Sequence, residues 1–225
     1  MAVYAVVPVK HLDASKRRLS SVLTPKDRRK LTLVMLEDVL SAIKASNVQE
    51  ILVVGSDLAV REVAEKFGAV YANEETRGLN SAVTHSIEWC MQEGADSVLV
   101  LPVDIPLLSS ADINNIIDLG DSSESTVVLS PSSNGGTNAL FQKPPHLILS
   151  RFGQKSFDRH IKQTRGKGIC LKLHYSSSVA FDIDSEQDLQ RLLTAQNNTR
   201  SKQFLANILE TKNFSQTNLG KEVLY

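Results

Sequence analysis

The stretch at residues 97–108, SVLVLPVDIPLL, constrains the fold more than any other. Val98, Leu99, Val100 and Leu101 run without a polar interruption, the pattern of a strand covered on both faces in the middle of a largely parallel sheet. Pro102 cannot donate to a ladder and ends it. Two residues on stands Asp104, a lone carboxylate between Val103 and the Ile105-Pro106 pair. It lies just past the carboxyl end of the strand, where open α/β sheets hold their ligands. Asp104 is not needed to start the next helix, because Ser109 and Asp112 form an S-x-x-D capping box of their own. It is therefore a candidate metal-binding acid.

The surrounding chain repeats the strand-helix theme. Residues 3–9 are apolar and β-branched and leave the sheet near Pro8. Thr24 caps a helix with Pro25 in its first turn and Asp27 at the positive end of its dipole. That helix is expected to reach about residue 46, with Leu36, Val39, Leu40 and Ile43 on its core stripe. A strand at 51–54, a helix at 60–67 stopped by Gly68 and a strand at 69–72 follow. This succession implies right-handed crossovers and a mostly parallel, twisted sheet with helices on both faces. A chain of 225 residues with 42% apolar content can bury one such α/β core, so residues 1–195 are expected to form a single domain. Residues 196–225 carry an amphipathic helix built on Phe204, Leu205, Ile208 and Leu209, then a polar tail. The helix would dock on the body or on a second copy in a homodimer.

The 25 basic and 25 acidic residues balance, and no basic run exceeds Lys16-Arg17-Arg18, so there is no footprint for nucleic acid. No apolar stretch approaches the roughly 20 residues of a transmembrane helix. With no signal-peptide layout at the N-terminus, a soluble cytoplasmic protein with small-molecule partners is expected. Cys90 and Cys170 read as buried free thiols.

Five further segments carry candidate chemistry. Lys10, His11, Lys16, Arg17 and Arg18 follow the first strand, a frequent phosphate-binding place. Because the loop has no glycine, any phosphate would be held by side chains, and the charge is equally compatible with a solvated surface. In NEETRGLN at 73–80, Gly78 and Asn80 would face a base or ribose, or else serve as turn glycine and N-cap. Gly135-Gly136-Thr137 suits an anion or a hairpin turn. In RFGQKSFDRH, Gly153 precedes Ser156 at a helix start, which offers amides and a hydroxyl to a second phosphate; Arg151, Lys155 and His160 could supplement it, or else are surface residues, the reading preferred here. Finally, in FDID the carboxylates of Asp182 and Asp184 alternate with apolar Phe181 and Ile183, and Ser185 with Asp188 caps the next helix. Two like charges so close are usually compensated by a divalent cation, and Mg²⁺ takes carboxylates together with phosphate oxygens.

Together VPVK at 7–10, GLN at 78–80, DIPLL at 104–108, GGTNAL at 135–140, FG with SF at 152–157 and DID at 182–184 resemble the 2-phospho-L-lactate guanylyltransferase family of deazaflavin coenzyme biosynthesis. The resemblance covers about residues 1–195, and the last thirty residues exceed what it needs. It implies a GT-A-like, Rossmann-like nucleotidyltransferase sheet. It further implies Mg²⁺ on Asp104, Asp182 and Asp184, and the acceptor's phosphate on Thr137, Gly153 and Ser156. GTP would lie over the basic loop, with Lys10, Lys16 and Arg17 at its phosphates, Lys10 and Lys16 serving catalysis with Asp104, and Gly78 and Asn80 at its nucleoside. The expected reaction joins GTP to 2-phospho-L-lactate and releases pyrophosphate. The alternatives are another phosphorylated acceptor (phosphoenolpyruvate, phosphoglycerate, a sugar phosphate or molybdopterin) and a non-catalytic nucleotide-binding module.

Overall fold

The computed structural model describes residues 1–74 and 78–219. Seven strands make one sheet: β1 (Val3–Pro8), β2 (Glu50–Gly55), β3 (Val70–Asn73), β4 (Ser97–Val100), β5 (Thr126–Pro131), β6 (Thr137–Lys143) and β7 (Cys170–Leu173). Their order is β3-β2-β1-β4-β6-β5-β7. Every pairing is parallel except those of β6 with β4 and with β5. The exception has a simple cause, because only the short turn at 132–136 joins β5 to β6, and strands joined so tightly must run antiparallel. The sheet is thus mixed but mostly parallel, as the strand-helix succession implies.

The helices are α1 (Pro25–Lys44), α2 (Leu58–Lys66), α3 (Leu79–Gln92), α4 (Ser110–Gly120), α5 (Ser156–Gly166), α6 (Ser177–Ala180), α7 (Glu186–Thr194) and α8 (Arg200–Leu219). The capping boxes Thr24/Asp27, Ser109/Asp112 and Ser185/Asp188 all form, with side chain and backbone bonded reciprocally. Alternation along β1 sends Ala5 and Val7 to one face and Val6 to the other. The first face packs on α1, α2 and α4 through Leu36, Val39, Leu40, Ile113 and Ile116. The second packs on α3 through Val83, Ile87 and Cys90. Cys90 is buried, whereas Cys170 is only half-buried, since β7 forms the edge of the sheet.

Two features of this frame build the site. The chain leaves β1 for β2 on one side and reaches β4 on the other, so the strand order reverses beside β1 and the loops after β1 and β4 open into one crevice. A third apolar cluster joins Leu19 of the loop after β1, Leu31 and Met35 of α1, Ile183, Leu189 and Leu192 of the α7 region, and Leu205 of α8. By burying Leu19 and Ile183 together it brings the basic loop against the 181–184 segment. The helix α8 docks on α1 of its own chain, where Asp38 accepts from the Ser201 hydroxyl at 2.6 Å and from the amides of Arg200 and Ser201. The end of the polar tail, 220–225, lies outside the described residues, as do 75–77 of the NEETRGLN loop.

Candidate active site

Asp104 stands four residues beyond β4, and its carbonyl accepts a hydrogen bond from Ile183 N–H at 3.0 Å. This one backbone bond docks the DID segment onto the loop after β4. The carboxylates that meet there share a cation from the chain itself. Lys16 Nζ lies 2.7 Å from Asp104 Oδ2 and 3.1 Å from Asp184 Oδ1, with its side chain only 6% exposed. Burial alone would lower the Lys16 pKa. Asp104 and Asp184 outweigh that effect and hold it above its ordinary value, so the ammonium stays charged. Lys16 also carries a left-handed backbone, φ 50°, a conformation that side-chain-bearing residues adopt at some cost and that functional loops often retain. Arg18 Nη1 adds a looser contact to Asp184 at 3.9 Å.

Asp182 completes the group. Its Oδ2 accepts from Asn134 Nδ2 at 3.3 Å, while its buried Oδ1 has no partner. Burial, followed by the charges of Asp104 and Asp184, raises its pKa above the ordinary carboxylate range. Lys16 answers Asp104 and Asp184, with the looser Arg18 contact, while Asp182 has no cation of its own in these contacts, and a buried carboxylate oxygen without a partner is costly. As the side chains stand, with Lys16 between them, no three acidic, histidine or cysteine side chains among the described residues are drawn close enough to ligate one ion. The donor set nevertheless fits a hard divalent cation, with Lys16 standing in for it between Asp104 and Asp184.

The cleft beside these acids is lined by Pro8, Lys10, Lys16, Leu79, Pro102, Asp104, Phe152 and Asp184. Lys10 is exposed at its mouth and Arg17 is exposed on the neighbouring 3-10 turn, Arg17–Leu19. Gly78 precedes α3 with φ 114°, and a Cβ built there would touch nothing within 4 Å, so its left-handed conformation, not crowding, requires glycine. Asn80 is not the N-cap, a place taken by Gly78. It is the second residue of α3, and its amide is spent on Phe152, accepting from Phe152 N–H at 2.7 Å and donating to Phe152 O at 3.2 Å. It ties α3 to the loop before α5.

The second polar group lies where β6 meets α5. Thr137 and Asn138 alternate across β6. Asn138 donates to Val179 O on the α6 side, and Thr137 reaches the α5 side, 3.1 Å from Ser156 Oγ and 3.0 Å from His160 Nδ1. Gly153, with φ 118°, closes a turn in which its carbonyl accepts from Ser156 N–H. The paired glycines form the hairpin turn. The amides of Gly135 and Gly136 go to Ser132 O and Ser132 Oγ, so neither is turned to an anion. Phe157 N–H donates to Gly135 O, and Asn134 reaches Asp182. The β5–β6 turn is thereby a physical link between the acid group and the α5 group.

His160 is the residue that sequence reasoning misplaced. Read as a surface residue, it is fully buried, edge-on to Phe152 with ring centres 5.3 Å apart, and its Nε2 accepts from Arg151 N–H at 2.9 Å. Burial, reinforced by Arg159 and Arg151, lowers its pKa to about 4. Arg151 and Lys155 are exposed, as expected of them.

The open α/β sheet, with its carboxylates and basic loop at the point where the strand order reverses, has the fold of solved nucleotidyltransferases. A nucleotidyl transferase from Methanothermobacter superposes with a TM-score of 0.64 at 17% identity, over 92% of this chain and 99% of that one. The synthase of 4-diphosphocytidyl-2C-methyl-D-erythritol gives 0.59 at 17% identity, over 87% and 100%. Sequence similarity then narrows the class. The family described as "Guanylyl transferase CofC like" matches residues 3–224, and the chain belongs to it. That match runs through the C-terminal segment, which the resemblance did not require. The phosphoenolpyruvate guanylyltransferase of Rubrobacter xylanophilus is 38% identical over 192 residues, 85% of this chain and 94% of that protein. The 2-phospho-L-lactate guanylyltransferase of Methanothermobacter thermautotrophicus is 34% identical over 206 residues, 91% and 90%. No helix among the described residues is long and apolar enough to cross a membrane.

Proposed function

We propose that this protein transfers the guanylyl group of GTP to 2-phospho-L-lactate, giving lactyl-2-diphospho-5′-guanosine and pyrophosphate in deazaflavin coenzyme biosynthesis. The observation that carries the reading is the Lys16 ammonium clamped between Asp104 and Asp184 at the crevice, with Asp182 near enough for both carboxylates to raise its pKa. Phosphoenolpyruvate is the second reading, favoured by the Rubrobacter relative. Both acids carry a phosphate on the carbon next to a carboxylate.

The acceptor supplies its own nucleophile. The second pKa of a phosphate monoester is about 6, so the attacking oxygen is ionised at neutral pH and no general base is required. That oxygen forms a bond to the α-phosphorus of GTP while the bond from α-phosphorus to the bridging oxygen breaks, and pyrophosphate leaves. The barrier to overcome is repulsion between anions, about 4 kcal/mol for each pair of unit charges at 4 Å and an effective dielectric of 20. Thr137, Gly153 and Ser156 would orient the acceptor's phosphate, and Gly78 would leave room for the nucleoside. Lys10, Lys16 and Arg17 would hold the triphosphate and balance the leaving group. Asp104, Asp182 and Asp184 would hold Mg²⁺, which when bound neutralises charge between the two reacting phosphates. Lys16, released by those carboxylates, would reach phosphate oxygens of the triphosphate.

Purified protein incubated with GTP, Mg²⁺ and each acid in turn should release pyrophosphate and yield a product whose mass is that of the acid plus a guanylyl group. The reading fails if neither acid is guanylylated, or if ATP or CTP serves as well as GTP.

A further inference from the structure

We propose that His160 is a positioning residue for the acceptor's phosphate: by donating from Nδ1 to Thr137 it leaves the Thr137–Ser156 hydroxyl pair with one proton to give to a phosphate oxygen. The inference rests on the acceptor-site reading above.

The tautomer follows from the partners. Arg151 N–H has only a proton to give, and it points at Nε2 from 2.9 Å, so Nε2 carries its lone pair there. A neutral imidazole with a bare Nε2 bears its proton on Nδ1. Full burial and the positive charges of Arg159 and Arg151 oppose a second proton, so the neutral form persists at physiological pH. The contact between Nδ1 and Thr137 Oγ1 at 3.0 Å therefore runs from histidine to threonine.

The consequence is a count of protons. Thr137 and Ser156 bring two hydroxyl protons, and one is used in the 3.1 Å bond between them. Because His160 donates into the pair, the other proton is not consumed inside it. With the opposite tautomer, Thr137 would have to donate to Nδ1, both protons would be spent, and the pair would face a ligand with lone pairs only. The oxygens of a fully ionised phosphate only accept, so the first arrangement attracts that form and the second repels it. His160 sits four residues after Ser156 on α5, which places the two on one helix face over Thr137. A structural reason for the histidine is also present, since Arg151 N–H is anchored by the same ring, and the two roles use different nitrogens.

That division supplies the experiment. In His160→Asn the carboxamide nitrogen falls where Nδ1 stood, keeping the donor to Thr137 and losing the acceptor for Arg151. In His160→Gln the terminal oxygen falls near Nε2, keeping the loop anchor and losing the donor. Steady-state kinetics would be run with 2-phospho-L-lactate and with phosphoenolpyruvate, varying GTP separately, alongside Thr137→Val. The expected result is that His160→Gln raises the acceptor KM about tenfold or more, the loss of one hydrogen bond to a charged group. The GTP KM stays unchanged, and His160→Asn remains near wild type. Equal effects of Asn and Gln, rescue by Gln, or parallel changes in both KM values overturn the positioning role. If Thr137→Val leaves the acceptor KM untouched, the acceptor-site reading itself fails. If Thr137→Val raises it and His160→Gln does not, only the present inference fails. Nitrogen-15 NMR of the wild-type histidines decides the matter should a variant not fold: the His160 ring must be protonated at Nδ1, and protonation at Nε2 refutes the proposal.

Discussion

Replacing Lys16 by methionine removes a charge while keeping most of the apolar stem, and its effect on stability should depend on the metal. In the metal-free protein Lys16 is the cation shared by Asp104 and Asp184. Breaking a fully buried pair costs about 3–5 kcal/mol because the remaining charge is stranded. Here the Asp104 and Asp184 side chains keep 25% and 39% of their exposure, so water recovers part of the loss. We expect about 2 kcal/mol, which for a chain of this size is about 4–8 °C in melting temperature. In a chelator Lys16→Met should melt lower by that amount, and millimolar Mg²⁺ should return most of it, because the ion takes the position the ammonium held. Wild type should gain less from Mg²⁺ alone, since the ion has to displace a bound ammonium. Turnover of the variant should fall about 10²–10³-fold through loss of a cation at the leaving pyrophosphate. The reasoning is refuted if Lys16→Met melts with wild type in chelator, or gains no more than wild type from Mg²⁺.

Two other outcomes concern stability. His160 has a folded pKa of about 4 against an ordinary 6.5, so the unfolded chain takes up a proton that the folded one refuses. Its contribution is complete above about pH 6.5 and is lost as pH falls toward 4, at about 1.4 kcal/mol per pH unit and about 3 kcal/mol in all. Denaturant melts of wild type and His160→Asn at pH 7 and pH 4.5 should show this part of the fall in wild type only, and equal falls would contradict it. At Gly120, the last residue of α4, an added Cβ would lie 2.1 Å from Cε1 of the buried Phe141 of β6. Gly120→Ala should therefore cost about 1–3 kcal/mol or more in denaturant melts while sparing the KM values, and unchanged stability would mean that α4 shifts freely.

What the sequence revealed and what it hid divide along chain distance. The three capping boxes are local, each closed within four residues, and Thr24, Ser109 and Ser185 all mark their helices correctly. The central strand was legible because an unbroken apolar run has few other places to go, and Asp104 because it follows that run directly. The partner of Asp104 was not legible. Lys16 lies 88 residues from Asp104 and 168 from Asp184, and the packing of Leu19 with Ile183, together with the Ile183 N–H bond to the Asp104 carbonyl, brings the three together. A basic run after a strand looks the same whether it is solvated or clamped. The paired glycines were ambiguous for a similar reason: nothing nearby says that Ser132 takes both amides. His160 was misread because the RFGQKSFDRH stretch is polar, and its burial comes from β6 and Phe152 rather than from its own helix. The tie from Asn80 to Phe152, 72 residues away, leaves no local signal, and the N-cap expected of Asn80 falls to Gly78.

The central claim is that Asp104, Asp182 and Asp184 jointly hold one divalent ion beside GTP. Electron paramagnetic resonance of Mn²⁺, which substitutes for Mg²⁺, tests it most directly. Titrations would be carried out with a non-hydrolysable GTP analogue in wild type, Asp104→Asn, Asp182→Asn and Asp184→Asn, each first checked for a native melt. The account predicts one protein-bound Mn²⁺ in wild type and at least about tenfold weaker binding in each variant, the range seen when a metal site loses a supporting ligand. Binding that is unchanged in the Asp104 and Asp182 variants would place the metal elsewhere and remove the proposed mechanism.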